Sequence, residues 1–160
     1  MDDFGMRPRQ QVSVVTSDLG EFKEEVRRVF AEFGQQFGAD SLAGECTPTL
    51  DVYETDDTVE VTVDLPGVDA AAVRVLGKGD SVLVAGQKPA RRVRGESSFH
   101  LVERGYGRFA RAVRIAHPCD ISRGSAAMVD GELRISLPKV KDRRGSAIAI
   151  PVTKRSMADG

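Results

Sequence analysis

The spacing of apolar residues changes once along this chain. Between Ser17 and Gly38, the residues Leu19, Phe22, Val26, Val29, Phe30, Phe33 and Phe37 recur at intervals of three and four, which is one face of an amphipathic helix. Ser17 or Asp18 stands where a cap belongs, Glu21 falls in the first turn, and Gly34 and Gly38 are stopping points. A stripe carrying four phenylalanines has to be buried. Two destinations are open: the domain's own core, or partner chains on which the segment docks as an arm.

After Pro48 the period becomes two. Leu50 and Val52 alternate with Asp51 and Tyr53, and Val59, Val61 and Val63 alternate with Glu60, Thr62 and Asp64. Val73 and Val75 flank Arg74, and Val82 and Val84 lie either side of Leu83. Phe109, Val113 and Ile115 share one parity, as do Leu133, Ile135 and Leu137. Turn signals separate these runs: Asp56-Asp57, Pro66-Gly67, Gly77-Lys78-Gly79-Asp80 and Asp130-Gly131. With no helix-length amphipathic run from Pro48 to Pro151, the pattern predicts an all-β antiparallel sandwich.

Two stretches do not fit a closed sandwich. The polar insertion from Lys88 to Arg104 carries Lys88, Arg91, Arg92, Arg94 and Arg104 against Glu96 and Glu103, and loops of this length inside a compact domain are usually functional or mobile. Within it, Ser97 to Leu101 has the makings of a short strand in a sheet other than its own. Residues 49–65, by contrast, hold six acids and no base. A basic loop and an acidic strand pair on one chain can meet between two copies, although a charge run is more often a solvated face. Arg111 shares the parity of Phe109 and Val113, so it points where apolar groups point. A charge there calls for a carboxylate partner at a subunit boundary, or for a strand end along which the side chain reaches water.

Composition narrows the function classes. The 160 residues are 41% hydrophobic and 29% charged, which is globular composition with room for one domain and its arms. Five of the seven phenylalanines lie in the first 37 residues, and there is no tryptophan. The net charge of −1 removes the case for a generally basic nucleic-acid binder. No apolar run approaches the ~18 residues of a membrane span. The two cysteines, Cys46 and Cys119, form no ligand or redox pair by spacing, and a cytoplasmic location is expected. His100 and His117 sit in no metal-binding pattern, no serine lies in a nucleophile elbow, and Gly77-Lys78-Gly79 lacks the third glycine of a dinucleotide loop. The segment Arg104–Arg111 opens like an RNA-recognition signature, but Arg108 and Arg111 replace the aromatics that would stack on bases. These absences predict a protein that is not an enzyme and takes no cofactor or metal, nucleic acid or membrane.

Four segments in order resemble the small heat-shock proteins, a family built on the α-crystallin domain. PTLDVYETDDTVEVTVDLPGV (Pro48–Val68) is similar to the family's opening strands and D-L-P-G turn, and VERGYGRFARAVRI (Val102–Ile115) to its central strand block. AAMVDGELRISLPK (Ala126–Lys139) matches the closing A-x-x-x-x-G-x-L hairpin, and Ile148-Ala149-Ile150 stands at the place of the I-x-I motif. The chain departs from the pattern at Glu132, at Ala116 and at Gly124; the first and last are expected to loosen the closing hairpin or open a groove beside it.

The resemblance implies an immunoglobulin-like α-crystallin sandwich over residues 48–139, with the long loop at 88–104. It also implies a Phe-rich, partly helical arm over 1–47 and an extended tail over 140–160. The activity it implies is that of an ATP-independent holdase, which binds partly unfolded proteins and prevents their aggregation under stress. Its partners are then non-native clients and copies of itself, as a homodimer and as larger homo-oligomers. Ile148 and Ile150 would dock on another dimer in a groove mapped to Val73, Val75, Ala126 and Met128. Phe22, Phe30, Phe33 and Phe37 would contact clients and build the assembly, while Phe99, Leu101 and Arg111 would lie at the dimer interface. The alternative is a monomeric adaptor or co-chaperone built on the related CS-like sandwich, which needs neither the arm nor the tail motif.

Overall fold

Val59, Val61 and Val63 point one way from β2 (Thr58–Asp64), and all three are buried because β2 is paired on both sides and covered on that face. The computed structural model describes residues 19–34, 44–90, 92–141, 147 and 149–152. Within them, β2 joins β1 (Leu50–Glu54), β7 (Glu132–Pro138) and β6 (Ser125–Val129) in one sheet of order β1-β2-β7-β6. The strands β3 (Val73–Lys78), β4 (Ser81–Lys88) and β5 (Gly107–Arg114) make the second sheet. Every neighbouring pair is antiparallel, which is the two-layer sandwich that the period-two pattern predicts. Asp130 (φ 50°) and Gly131 (φ 81°) form the two-residue left-handed turn that matches the twist of β6 and β7.

The inner faces share one cluster: Val59, Val61, Val63 and Leu65 from the first sheet meet Val82, Val84, Phe109 and Val113 from the second, with Leu133, Ile135 and Leu137 alongside. A second cluster lies outside the sandwich. Helix α1 (Lys23–Glu32), entered through a 3-10 turn over Leu19–Phe22, places Phe22, Val26, Val29 and Phe30 against Leu83, Ala85, Ala110 and Ala112 on the outer face of β4 and β5. The stripe thus takes the first of its two destinations, but on the back of a sheet rather than in the central core. A ten-residue helix is marginal alone in water, so this contact is what holds it. The expected cap at Ser17 or Asp18 lies outside the described residues. At the other end Gly34 (φ 72°) donates its N–H to the Ala31 carbonyl (3.0 Å), a glycine-terminated helix as predicted.

Candidate functional site

The candidate site is a set of apolar faces, each created by a strand edge or by the helix that packs on the sandwich. The first lies where the two sheets part. β3 and β6 are edge strands of opposite sheets, and between them opens a recess of about 150 Å³ lined by Val75, Gly77, Val82, Ile121, Gly124, Ala126, Ile135 and Leu137. Val75 and Ala126 were expected in such a groove. Val73 instead turns into the core at 8% exposure, and Met128 packs half-buried against the core away from the recess. Ile121 closes one end. It fits because residue 77 has no side chain: a Cβ on Gly77 would stand 2.2 Å from Ile121 Cγ2. Gly124, one of the departures from the family pattern, lines the same end, where a Cβ would meet Leu137 Cδ2 at 2.8 Å. Both strands turn an unpaired backbone edge outward, so an extended segment with apolar side chains is the ligand this geometry suits. Of the tail motif, Ile150 is 84% exposed and Ile148 lies outside the described residues.

At the opposite edge stand β1 and the loop after β4. β1 pairs only with β2, and its Val52 and Tyr53 are exposed. In the loop Phe99 (54%) and Leu101 (74%) are exposed, and residues 97–101 join no strand among the described residues. Arg111 projects toward this seam, where its Nη1 donates to the Pro48 carbonyl at 2.6 Å. Among the described residues a backbone carbonyl therefore stands where a carboxylate was expected, and the guanidinium ties β5 to the segment entering β1. Glu45 and Cys46 reinforce the seam, both donating backbone N–H to the Arg108 carbonyl (2.8 and 3.2 Å). Arg111→Ala should cost about 1.5–3 kcal/mol, the usual worth of a half-buried hydrogen bond to a charged group, read as a lower midpoint in thermal unfolding.

The third face is the one α1 covers. Phe22 and Phe30, expected in an open arm, are covered (0% and 4% exposed), because Leu83 and Ala85 make the outer face of β4 apolar and in need of a lid. Phe33 is half-buried beside them, and Phe37 lies outside the described residues. Charges fix the lid along β3. Lys78 Nζ pairs with Glu25 (3.2 Å) and donates to the Glu21 carbonyl (3.0 Å), and Arg74 pairs with Glu32. Ser81 Oγ donates to Glu21 Oε2 (3.3 Å). Arg74 lies over the Phe33 ring (5.3 Å), and Arg108, on the β5 side, over Phe30 (5.0 Å).

A backbone hydrogen bond, followed by the bond from Lys78, holds the Glu25 carboxyl below its ordinary value. A carboxyl lowered in the folded state stabilises above its unfolded pKa, and the contribution is lost as pH falls through the lowered one. Acidification through that window should therefore loosen α1. The far-ultraviolet helical signal should fall there before the sheet signal does, and Glu25→Gln should remove that early step.

Other groups offer little chemistry. Burial pushes both thiols, Cys46 and Cys119, above the ordinary cysteine value, away from the reactive thiolate. Among the described residues no three His, Cys, Asp or Glu side chains gather as metal ligands, and no helix is long and apolar enough to cross a membrane.

Comparison with known proteins gives one consistent result. The model of the Hsp20/alpha crystallin family matches residues 51–153. The chain is 35% identical over 112 residues to heat shock protein 16 of Schizosaccharomyces pombe, covering 68% of this chain and 78% of that protein. Among solved structures, heat shock protein 16.0 from the same yeast aligns with a TM-score of 0.57 at 31% identity, over 72% of this chain and all of the other. The hspA of Xanthomonas axonopodis aligns at 0.54 and 26% identity, over 59% and 94% of the two chains.

Proposed function

Since the chain belongs to the Hsp20/alpha crystallin family of non-enzymatic chaperones, we propose that it acts as an ATP-independent holdase in the cytoplasm. On this reading it captures partly unfolded proteins on exposed apolar surface and keeps them from aggregating under stress. Its parts are an arm over residues 1–47, the sandwich over 48–139 with the loop at 88–104, and a tail from 140. Two copies pair through the loop, with Phe99 and Leu101 lent to the partner's β1 edge and Arg111 bracing the seam beside it. Dimers join into larger particles when Ile148 and Ile150 of one chain enter the β3/β6 recess of another. The observation that carries this reading is exposed apolar surface outside the sandwich: Phe99, Leu101 and Ile150 are all more than half exposed, in a loop and a tail rather than scattered singly.

The mechanism needs no nucleotide. Burying non-native apolar surface is favourable at roughly 25 cal/mol per Å², and a holdase need only offer matching surface faster than clients find each other. Each tail contact is individually weak, so heat or competing client releases dimers and uncovers the recess. The test is turbidity of a heat-labile client with and without the chain, in the absence of nucleotide, paired with light scattering of the chain alone. Suppressed turbidity and a mass of a dimer or more are expected. An unhindered client would end the holdase reading, and a monomeric mass would turn the sandwich into an adaptor module.

A further inference from the structure

The lid on the outer face of β4 and β5 describes what that face binds. Its floor is a strip of mostly small residues, Leu83, Ala85, Ala110 and Ala112, against which two large ring side chains, Phe22 and Phe30, are buried. Cations border the strip: Arg74 and Lys78 along β3, and Arg108 at one end, in line with Ala110 and Ala112 on β5. What occupies it is an amphipathic helix with an apolar stripe and glutamates at positions 21, 25 and 32 aimed at the β3 cations and Ser81. We propose that this face is the client site of the holdase, that α1 is its resident pseudo-client, and that the preferred ligand is an amphipathic client segment with aromatic residues on one side and acids on its flank.

The proposal rests on the holdase reading and adds a chemical selectivity to it. A tethered α1 competes at the high local concentration of its own chain, so the face opens only when the lid is loosened or client is abundant. Another copy's α1 would replace like with like, making the same contacts without the tether's advantage; a foreign segment of the same chemistry has no lid of its own to give up. Basic amphipathic segments meet Arg74, Lys78 and Arg108 and are rejected, so capture is biased toward acidic clients.

The test uses the full chain with Val26→Asp and Phe30→Asp, which ejects its own α1. Three labelled peptides are titrated by fluorescence anisotropy: a copy of residues 19–34, the same peptide with Glu21→Lys, Glu25→Lys and Glu32→Lys, and an unrelated peptide keeping only the apolar spacing and acid positions. The first and third are expected to bind, and the charge-reversed one about tenfold more weakly, as loss and reversal of the β3 pairs implies. Adding Arg74→Glu and Lys78→Glu to the host should invert the preference. Failure of all peptides to bind, or equal affinity for the first two, overturns the proposal, and binding of the first alone assigns the face to a second copy instead. The same host in the turbidity assay separates the two claims: suppression without peptide binding leaves the holdase standing and removes this site.

Discussion

Gly86→Val should be the most damaging single substitution in the sandwich, costing about 3 kcal/mol or more and lowering the thermal midpoint by roughly 12–25 °C. Gly86 sits in β4 with Val73 opposite on one side and Phe109 on the other. A Cβ there would stand 2.1 Å from the Ala72 carbonyl oxygen and 2.9 Å from Phe109 Cζ. Neither neighbour can yield. Ala72 belongs to a 3-10 turn (Ala70–Ala72) held by the Asp69 carboxylate on the Ala71 N–H (2.9 Å) and by the Asp69 carbonyl on the Ala72 N–H (2.9 Å). Phe109 is fully buried at the centre of the inner cluster. The added branches would force β3 away from β4, which would also widen the β3/β6 recess. Differential calorimetry checks the prediction, and a midpoint within a few degrees of the unmodified chain would mean that the β3–β4 pairing is much softer than its register indicates.

How far these elements could be read beforehand depended on whether a signal was local. Parity along a strand is local, and Val59, Val61 and Val63 announce β2 and its buried face without help from the rest of the chain. The helix, too, was legible in its three-and-four spacing. Its destination was written in the sequence, but in β4 rather than in the helix. Val82, Leu83, Val84 and Ala85 form an unbroken apolar run, the mark of a strand buried on both faces, and all four are buried. Taken with the small outward residues Ala110 and Ala112 of β5, that run locates the surface α1 covers. The recess was only half legible because it joins β3 to β6 across some fifty residues of chain; Val75 and Ala126 were placed there by the family resemblance, not by parity, which they share with Val73 and Met128, while Ile121 reaches it from a turn. Arg111's partner could not be read at all, since a backbone carbonyl leaves no trace in residue type.

The second large effect is expected in assembly rather than stability. Ile148→Gly with Ile150→Gly should reduce the particle to its smallest stable unit, with circular dichroism of the sandwich unchanged. Ile150 is 84% exposed, so in a single chain its side chain holds nothing together and its removal costs the fold nothing. In the proposed assembly each link buries two isoleucines, worth about 3–6 kcal/mol before the tail's ordering is subtracted, and glycine removes the whole of that term. Because a particle persists only while many such links act together, halving the strength of each would already shift the mass, and abolishing them should leave no intermediate sizes. The groove side supplies the reciprocal test. Ala126→Asp sets a charge at the exposed lip of the recess, beside Val75, and should shrink the particle without loosening the core, because Ala126 is itself exposed. Light scattering of the two variants separately and mixed with unmodified chain distinguishes tail loss from groove loss. A donor lacking isoleucines still offers an intact groove, and a groove-blocked chain still offers a tail, so mixing the two variants should restore a larger particle. If each keeps the unmodified mass on its own, the tail and the recess do not meet.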